Sequence, residues 1–334
     1  MKMVRVDSLG ANVSSIGFGC ASLGGRVGAR RGIEGLERAY DAGITWYDVA
    51  PSYGDGMAES ILGQFASMKR GRVYICTKVG MRPPDISAAM RILKPIARAS
   101  LAVFPGIRPR LSAMKSKPFK VPLSADLIRT SIDDSLRRLR TDYVDVLALH
   151  RPTREEVVRE DIIRALERIL QDGKARAISI AGDNEGGIGG LHEALPYRLI
   201  QIANNPFEPN LQRSAEIALR GTFVTYGSFS SLDLLVAKIG SDREILNALC
   251  EMGYQGDFTE IAAAFIVDYA LATNSAGVTL FSMFRKEHLV FNLLRLAQAP
   301  MLHQLKRLAA AFSNGPRQTE RMCGVSNDQR VKRC

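Results

Sequence analysis

Runs of apolar residues without polar alternation recur at 15–19, 45–49, 73–79, 143–150, 177–181, 199–204, 222–226 and 277–281. They are rich in Val, Ile, Tyr and Phe. Their continuity suits strands of a parallel sheet, which is buried on both faces. Helical patterning fills the intervals at 31–42, 57–67, 124–140, 154–172, 187–195, 212–220, 258–271 and 286–297. Within 154–172, Ile162, Ile163, Leu166, Ile169 and Leu170 gather on one face, as an amphipathic helix requires. Gly43, Gly173 and Gly221 each follow a helical stretch and precede a strand, where a left-handed residue commonly ends a helix. Thr153-x-x-Glu156 and Asp257-x-x-Glu260 read as capping boxes. Eight alternations of strand and helix predict a single (β/α)8 barrel domain over 1–313. A doubly wound sheet is the competing architecture, but it calls for a glycine-rich turn after the first strand. Gly17-Phe18-Gly19-Cys20-Ala21-Ser22 departs from G-x-G-x-x-G at its last position.

Three segments fall outside the alternation. Residues 3–6 and Val13, around Leu9-Gly10-Ala11-Asn12, predict a short hairpin placed to plug one end of the barrel. Residues 80–123 form a long insertion after the third strand, punctuated by Pro83, Pro84, Pro95, Pro105 and Pro109. Residues 314–334 read as a mobile basic tail. At 334 residues, 46% hydrophobic and 24% charged, the chain matches ordinary globular composition and is long enough for a large core. No apolar run approaches the ~20 residues of a membrane span; the best, 261–272, is broken by Asp268. No secretory leader is recognised at the start. The five cysteines form no C-x-x-C pair, so a reduced, cytoplasmic setting is the default and no metal site is expected.

The net charge of +11 is uneven. The insertion 80–123 carries nine basic residues against Asp85 alone, and the tail carries five against two acidic. The rest is balanced, so a nucleic-acid binder is not expected. Ile86, Met90, Leu93, Ala97 and Leu101 fall near one helical face of the insertion, with Arg91, Lys94 and Arg98 largely off it. A solvated cover over the barrel mouth is the plain reading; contact with an anionic partner or surface is the weaker one.

In a (β/α)8 barrel the chemistry lies at the carboxyl ends of the strands. The second strand runs out through Asp48 toward Tyr53, the third ends near Lys78 and the fourth at His150. A carboxylate, a phenol, an ammonium and an imidazole therefore meet at one mouth. A phenol titrates near 10 in water. An ammonium ~4 Å away favours the phenolate by at most ~4 kcal/mol at an effective dielectric of 20. That is roughly 3 pKa units before desolvation is subtracted. Such a phenol can protonate a carbonyl oxygen, the imidazole can orient it, and the carboxylate keeps the lysine charged. No side chain donates hydride, so carbonyl reduction here needs a nicotinamide.

Asp48-Val49-Ala50-x-x-Tyr53-Gly54-x-Gly56-x-x-Glu59-x-x-Leu62-Gly63, Thr77-Lys78-Val79-Gly80 and Asp142-Tyr143-Val144-Asp145-Val146-Leu147-x-Leu149-His150-Arg151-Pro152 stand in order. Together they resemble the aldo-keto reductase superfamily, and the likeness runs from about Leu9 to Ala311. The resemblance implies Tyr53 as general acid/base, tuned by Lys78 and Asp48, with His150 positioning the carbonyl. It implies a cofactor, NADPH/NADP with NADH also admissible. Gln201 would bind the nicotinamide carboxamide, Tyr226 would stack on its ring, and Ser228 and Phe229 would meet the pyrophosphate. Asn292 would lie on the adenine-side helix and Arg285 or Lys286 near a 2′-phosphate. The substrate would be a small carbonyl compound or a sugar.

Three stretches depart from that pattern. Ala181-Gly182 replaces the usual serine and asparagine, Phe281-Ser282-Met283-Phe284-Arg285 lacks the usual leading glycine, and Ser228-Phe229-Ser230-Ser231-Leu232 replaces Pro-Leu-Gly-x-Gly. They leave a second reading open: a nicotinamide-binding regulatory or sensor subunit with little turnover. Trp46, His192, His288 and His303 read as packing or surface residues. The oligomeric state is left open.

Overall fold

The computed structural model describes residues 1–83, 118–182, 188, 195–214, 221–298 and 302–313. The chain opens with an antiparallel hairpin, β1 (Met3–Val6) and β2 (Ala11–Ser14), turned through Asp7–Leu9. Gly10 closes the turn at φ +62°, where a side chain is disfavoured. Eight strands then close a barrel: β3 (Ile16–Gly19), β4 (Trp46–Asp48), β5 (Tyr74–Val79), β8 (Val144–His150), β9 (Ala175–Gly182), β10 (Tyr197–Ala203), β11 (Thr222–Tyr226) and β12 (Val278–Phe281). All neighbouring pairs are parallel, and β12 returns to β3. Each apolar run marked in the sequence overlaps one of these strands.

Strand period decides what lies inside. Trp46, Cys76, Val146, Ala148, Ala177, Leu199, Val224, Val278 and Leu280 form one buried cluster with Val4, Val6, Leu9 and Val13 of the hairpin. Their alternate neighbours Tyr47, Ile75, Leu147, Leu149 and Ile178 belong to a second cluster, with the flanking helices. The hairpin therefore caps the amino-terminal end of the barrel interior. Arg176 fastens it by donating to the carbonyl of Leu9 at 2.7 Å. Gly17 makes room for the interior tryptophan: a Cβ there would lie 2.8 Å from Trp46 Cδ1 and 2.6 Å from Leu280 Cδ2.

Where they are described, the helices follow the sequence reading with some differences; residues 215–220 of the helix expected at 212–220 lie outside the described residues. The stretch 154–172 is two helices, Arg154–Val158 and Glu160–Gln171, because Arg159 is extended at φ −72°, ψ 127°. Both capping boxes form, Thr153 with Glu156 and Asp257 with Glu260. Gly43 and Gly173 are left-handed, but Gly221 is not. It sits where the chain passes close to the carbonyl of Arg198, 3.4 Å from where a Cβ would stand. Three helices were not anticipated: Leu232–Ser241, Arg243–Glu251 and Leu302–Ser313. They bury Leu235, Ile239, Leu249, Leu305 and Phe312 against helix Phe258–Thr273 in a satellite core beside the barrel. In that core Asp268 is fully buried, takes the hydroxyl of Tyr254 at 2.8 Å and pairs with Arg295. Among the described residues no helix is long and apolar enough to cross a membrane.

The insertion begins and ends at a short antiparallel stem, β6 (Met81–Arg82) with β7 (Phe119–Lys120). Glu156 ties that stem to the loop after β8, accepting from Lys120 Nζ at 2.9 Å, Leu123 N at 2.9 Å and Thr153 N at 2.8 Å. The body of the insertion, with the face from Ile86 to Leu101, lies outside the described residues. So do the tail 314–334 and nearly all of the helix expected at 187–195.

Candidate active site

On five of the eight strands the interior series continues, two residues on, into polar side chains at the carboxyl end. Trp46 leads to Asp48, Cys76 to Lys78, Ala148 to His150, Leu199 to Gln201 and Val224 to Tyr226. The apolar members fill the barrel and the polar members form its mouth. Tyr53 comes from the turn after β4, where Gly54 has φ +58° and packs so closely on Leu23 that a Cβ would fall 1.8 Å from its carbonyl oxygen. Only glycine permits that approach, and the contact fixes where the preceding tyrosine can lie. Behind the mouth, Glu59 accepts from Thr77 Oγ1 at 2.5 Å and Arg138 Nε at 2.6 Å, anchoring β5 one residue before Lys78.

Lys78 is buried, with its ammonium 2.5 Å from Asp48 Oδ1 and 3.0 Å from the carbonyl of Val49. Burial works against its charge, but the Asp48 carboxylate and then the groups of Tyr53 and Cys76 outweigh it, so its pKa is raised. The same ammonium lies 4.9 Å from the centre of the Tyr53 ring. Tyr53 meets His150 edge to face, with ring centroids 6.1 Å apart.

The phenol corrects the expectation of a strongly acidified tyrosine. Burial pushes Tyr53 up; Lys78 pulls it down by charge and hydrogen bond, and the Asp48 charge opposes that pull. Desolvation wins, and the phenol stands at about 12. It therefore keeps its proton at neutral pH, the state a proton donor needs. His150 is driven the other way. Burial, then the charges of Lys78 and Arg151, lowers it to about 3, so the imidazole is neutral. Burial first and the Asp48 charge second raise the thiols of Cys20 and Cys76, which leaves neither as a thiolate nucleophile.

A cavity of about 1120 Å³ opens above these groups. Asp48, Tyr53, Lys78 and His150 line it, together with Tyr226, Ser228, Phe229 and Asn292. Gln201 lines it too, but its amide is turned onto the mouth carboxylate, with Nε2 2.6 Å from Asp48 Oδ2. Ser228 Oγ, His150 Nδ1 and Gln201 Oε1 are buried without a hydrogen-bond partner. Three unsatisfied polar atoms along one cavity mark places for ligand groups.

Arg285 stands apart from the other residues expected at the cofactor. It caps helix Lys286–Ala297 with extended backbone, is exposed and does not line the cavity; Lys286 does not line it either. Glu260, Glu287 and His288 line it instead. Sequence reasoning missed all three. His288 was legible in principle, since it lies four residues before Asn292 on the same helical face.

Residues 15–218 match the family model described as the aldo/keto reductase family. D-threo-aldose 1-dehydrogenase of a Pseudomonas species is 32% identical over 185 residues, 51% of this chain and 50% of that protein. L-galactose dehydrogenase of Arabidopsis thaliana is 29% identical over 191 residues, 54% of this chain and 49% of that protein. The chain thus spans about half the length of these curated relatives. Among solved structures, a glycerol dehydrogenase from Gluconobacter oxydans superposes with a TM-score of 0.70 at 20% identity, covering 96% of this chain and 99% of that one. An aldo-keto reductase from Klebsiella pneumoniae, determined in complex with NADPH, gives 0.67 at 19% identity over 97% of this chain and 100% of that one. The structural likeness repeats the closed barrel described above, and the family match takes in the first six barrel strands with the mouth residues from Asp48 to Gln201. The chain belongs to the aldo/keto reductase family.

Proposed function

We propose that this protein is a nicotinamide-dependent oxidoreductase that interconverts an aldehyde or ketone and its alcohol, or a sugar hemiacetal and its lactone. The observation that carries this reading is the meeting of Asp48, Lys78, Tyr53 and His150 on the wall of one cavity. The rest of that cavity would hold the dinucleotide. Tyr226 and Asn292 line it, and Ser228 adds a buried, unpartnered hydroxyl. NADPH is the cofactor to try first, since the Klebsiella relative was solved with it, and NADH second.

A bound reduced nicotinamide supplies the hydride. Tyr53 gives its proton to the substrate oxygen as negative charge develops there, and Lys78 stabilises the phenolate left behind. Asp48 keeps the lysine charged. The neutral His150 donates one ring N–H to the same oxygen and fixes its direction. In the reverse direction the phenolate takes the proton back. Substrates of the size of aldoses accord with the aldose and galactose dehydrogenases among the relatives.

The test follows reduced-nicotinamide absorbance with a panel of aldehydes, ketones and sugars, comparing wild type with Tyr53→Phe. Turnover falls about 10²- to 10⁴-fold while dinucleotide binding is kept, since only the proton donor is removed. Equal rates in both proteins overturn the assignment. A wild type that binds dinucleotide and turns over none of the panel supports a sensor subunit instead.

A further inference from the structure

At the end of β8 the chain takes a direction that strand period does not predict. His150 lines the cavity, so the next residue would be turned to the helix side. That residue also precedes Pro152, where extended backbone is the usual choice. Instead Arg151 has φ +56°, a conformation that residues other than glycine seldom adopt. It lines the cavity beside His150. Two neighbours on β9 hold the turn. Arg151 N donates to the carbonyl of Ala181 at 2.6 Å, and Gly182 adds no side chain where a Cβ would stand 3.5 Å from Arg151 Cα. These are the same two residues, Ala181-Gly182, that depart from the family pattern.

Arg151 is exposed, and among the described residues no side chain pairs with its guanidinium. The other cation on the cavity wall, Lys78, is neutralised by Asp48 at 2.5 Å. Glu260 and Glu287 also line the cavity, from helices Phe258–Thr273 and Lys286–Ala297. Neither reaches the imidazole electrostatically: the charges that act on His150 are those of Lys78 and Arg151, with no carboxylate among them. The mouth is left with one uncompensated positive charge, on the residue after the histidine.

We infer that Arg151 sets substrate specificity, its guanidinium taking an anionic group, a carboxylate or a phosphate, on a substrate whose carbonyl lies at Tyr53 and His150. The inference deepens the oxidoreductase reading and rests on it. The substrate class is then an anionic carbonyl compound: an aldehyde acid, a sugar acid or a sugar phosphate. A guanidinium presents paired N–H donors that match either oxyanion. Exposure leaves it solvated and charged until a substrate covers it. Adjacent residues hold the carbonyl and the charge, which suits a compact substrate.

Matched pairs of substrates decide it. Succinic semialdehyde is compared with butanal for the carboxylate, and glyceraldehyde phosphate with glyceraldehyde for the phosphate. The wild type is expected to favour the anionic member of at least one pair by about tenfold or more in kcat/KM, the worth of a hydrogen bond to a charged group. The preference shrinks as salt is raised. The pair that shows it identifies the oxyanion. Arg151→Gln keeps a side chain on the left-handed backbone and removes the charge; Arg151→Lys keeps the charge. The preference falls to within about twofold in Arg151→Gln, mainly through KM, and returns in part in Arg151→Lys. A wild type without preference in either pair overturns the inference and leaves the oxidoreductase standing. A Gln variant that keeps the preference, or loses the same factor on charged and neutral members, overturns it as well, for Arg151 then only shapes the turn.

Binding without turnover separates the two readings. Succinate and inorganic phosphate are titrated calorimetrically into wild type and Arg151→Gln, with oxidised dinucleotide present. Binding of either anion to wild type, weakened about tenfold in the variant, supports the site. Equal binding to both proteins, or no binding in a wild type that also reduces no carbonyl, overturns it. A wild type that reduces no carbonyl yet binds the anion through Arg151 counts against the proposed function and leaves the anion site standing.

Discussion

Mild acid tests how firmly the fold holds His150 in its neutral form. In the unfolded chain a histidine titrates near 6.5. In the folded protein burial, then Lys78 and Arg151, brings His150 to about 3. Between those values the unfolded state binds a proton that the folded state refuses, so stability falls as pH falls. Each unit inside the window costs about 1.4 kcal/mol. Integrated from pH 7 to pH 5, this one group removes about 2 kcal/mol, and about 3 kcal/mol by pH 4. His150→Asn keeps a short hydrogen-bonding side chain and takes away the titration. Urea unfolding of both proteins at pH 7, 5 and 4, at fixed ionic strength, isolates the effect, because every other titrating group is common to the pair. The wild type is expected to lose about 2 kcal/mol more than the variant between pH 7 and pH 5. Parallel losses refute the reasoning: the imidazole would then take up its proton in the folded protein as readily as in the unfolded chain.

Three further outcomes follow from packing and charge. Asp268→Asn leaves Arg295 without its buried counter-charge and is expected to cost about 3–5 kcal/mol in urea unfolding; a loss under 1 kcal/mol would mean that the pair is solvated. Gly17→Ala drives a methyl group into Trp46, Leu280 and Val278 at the barrel floor and costs about 1–3 kcal/mol, read as a lowered Tm. Arg285→Ala removes an exposed charge outside the cavity, so the ratio of NADPH to NADH dissociation constants moves by less than about threefold. A tenfold swing toward NADH would restore Arg285 as a phosphate contact.

The barrel was readable because each strand faces apolar neighbours on both sides, which writes it as an unbroken apolar run. Helix Phe258–Thr273 was readable for a similar reason: Ile261, Phe265, Ile266, Val267 and Tyr269 are buried around most of its circumference. What covers it was not readable. Helices Leu232–Ser241 and Arg243–Glu251 sit between β11 and that helix, and a scheme of one helix per strand has no place for them. Their apolar faces answer to the satellite core, so the partner explains the pattern and not the reverse. The break at Arg159 was hidden likewise. Ile162, Leu166 and Ile169 continue an apolar face, while Glu156 is drawn out of line by its bonds to Lys120 and Leu123 across the stem of the insertion.

The mouth divides along the same line between local and non-local causes. Asp48, Lys78 and His150 were legible because a period of two carries the inward series to the carboxyl end of each of these strands. Their ionisation was not. The sequence places a lysine near a phenol, and Coulomb's law alone then predicts a phenol made acidic. The answer turned on whether water or protein surrounds the pair, and burial prevailed. Arg285 illustrates the converse. A basic residue at the head of a helix is the natural phosphate contact, yet its extended backbone, at φ −92° and ψ 140°, puts it outside the helix whose His288 and Asn292 face the cavity. Gln201 combines both lessons. Strand period aims it inward, but the carboxylate its amide meets, Asp48, is brought by β4 from across the barrel. A residue's direction is written in its own strand; what it bonds is written in the others.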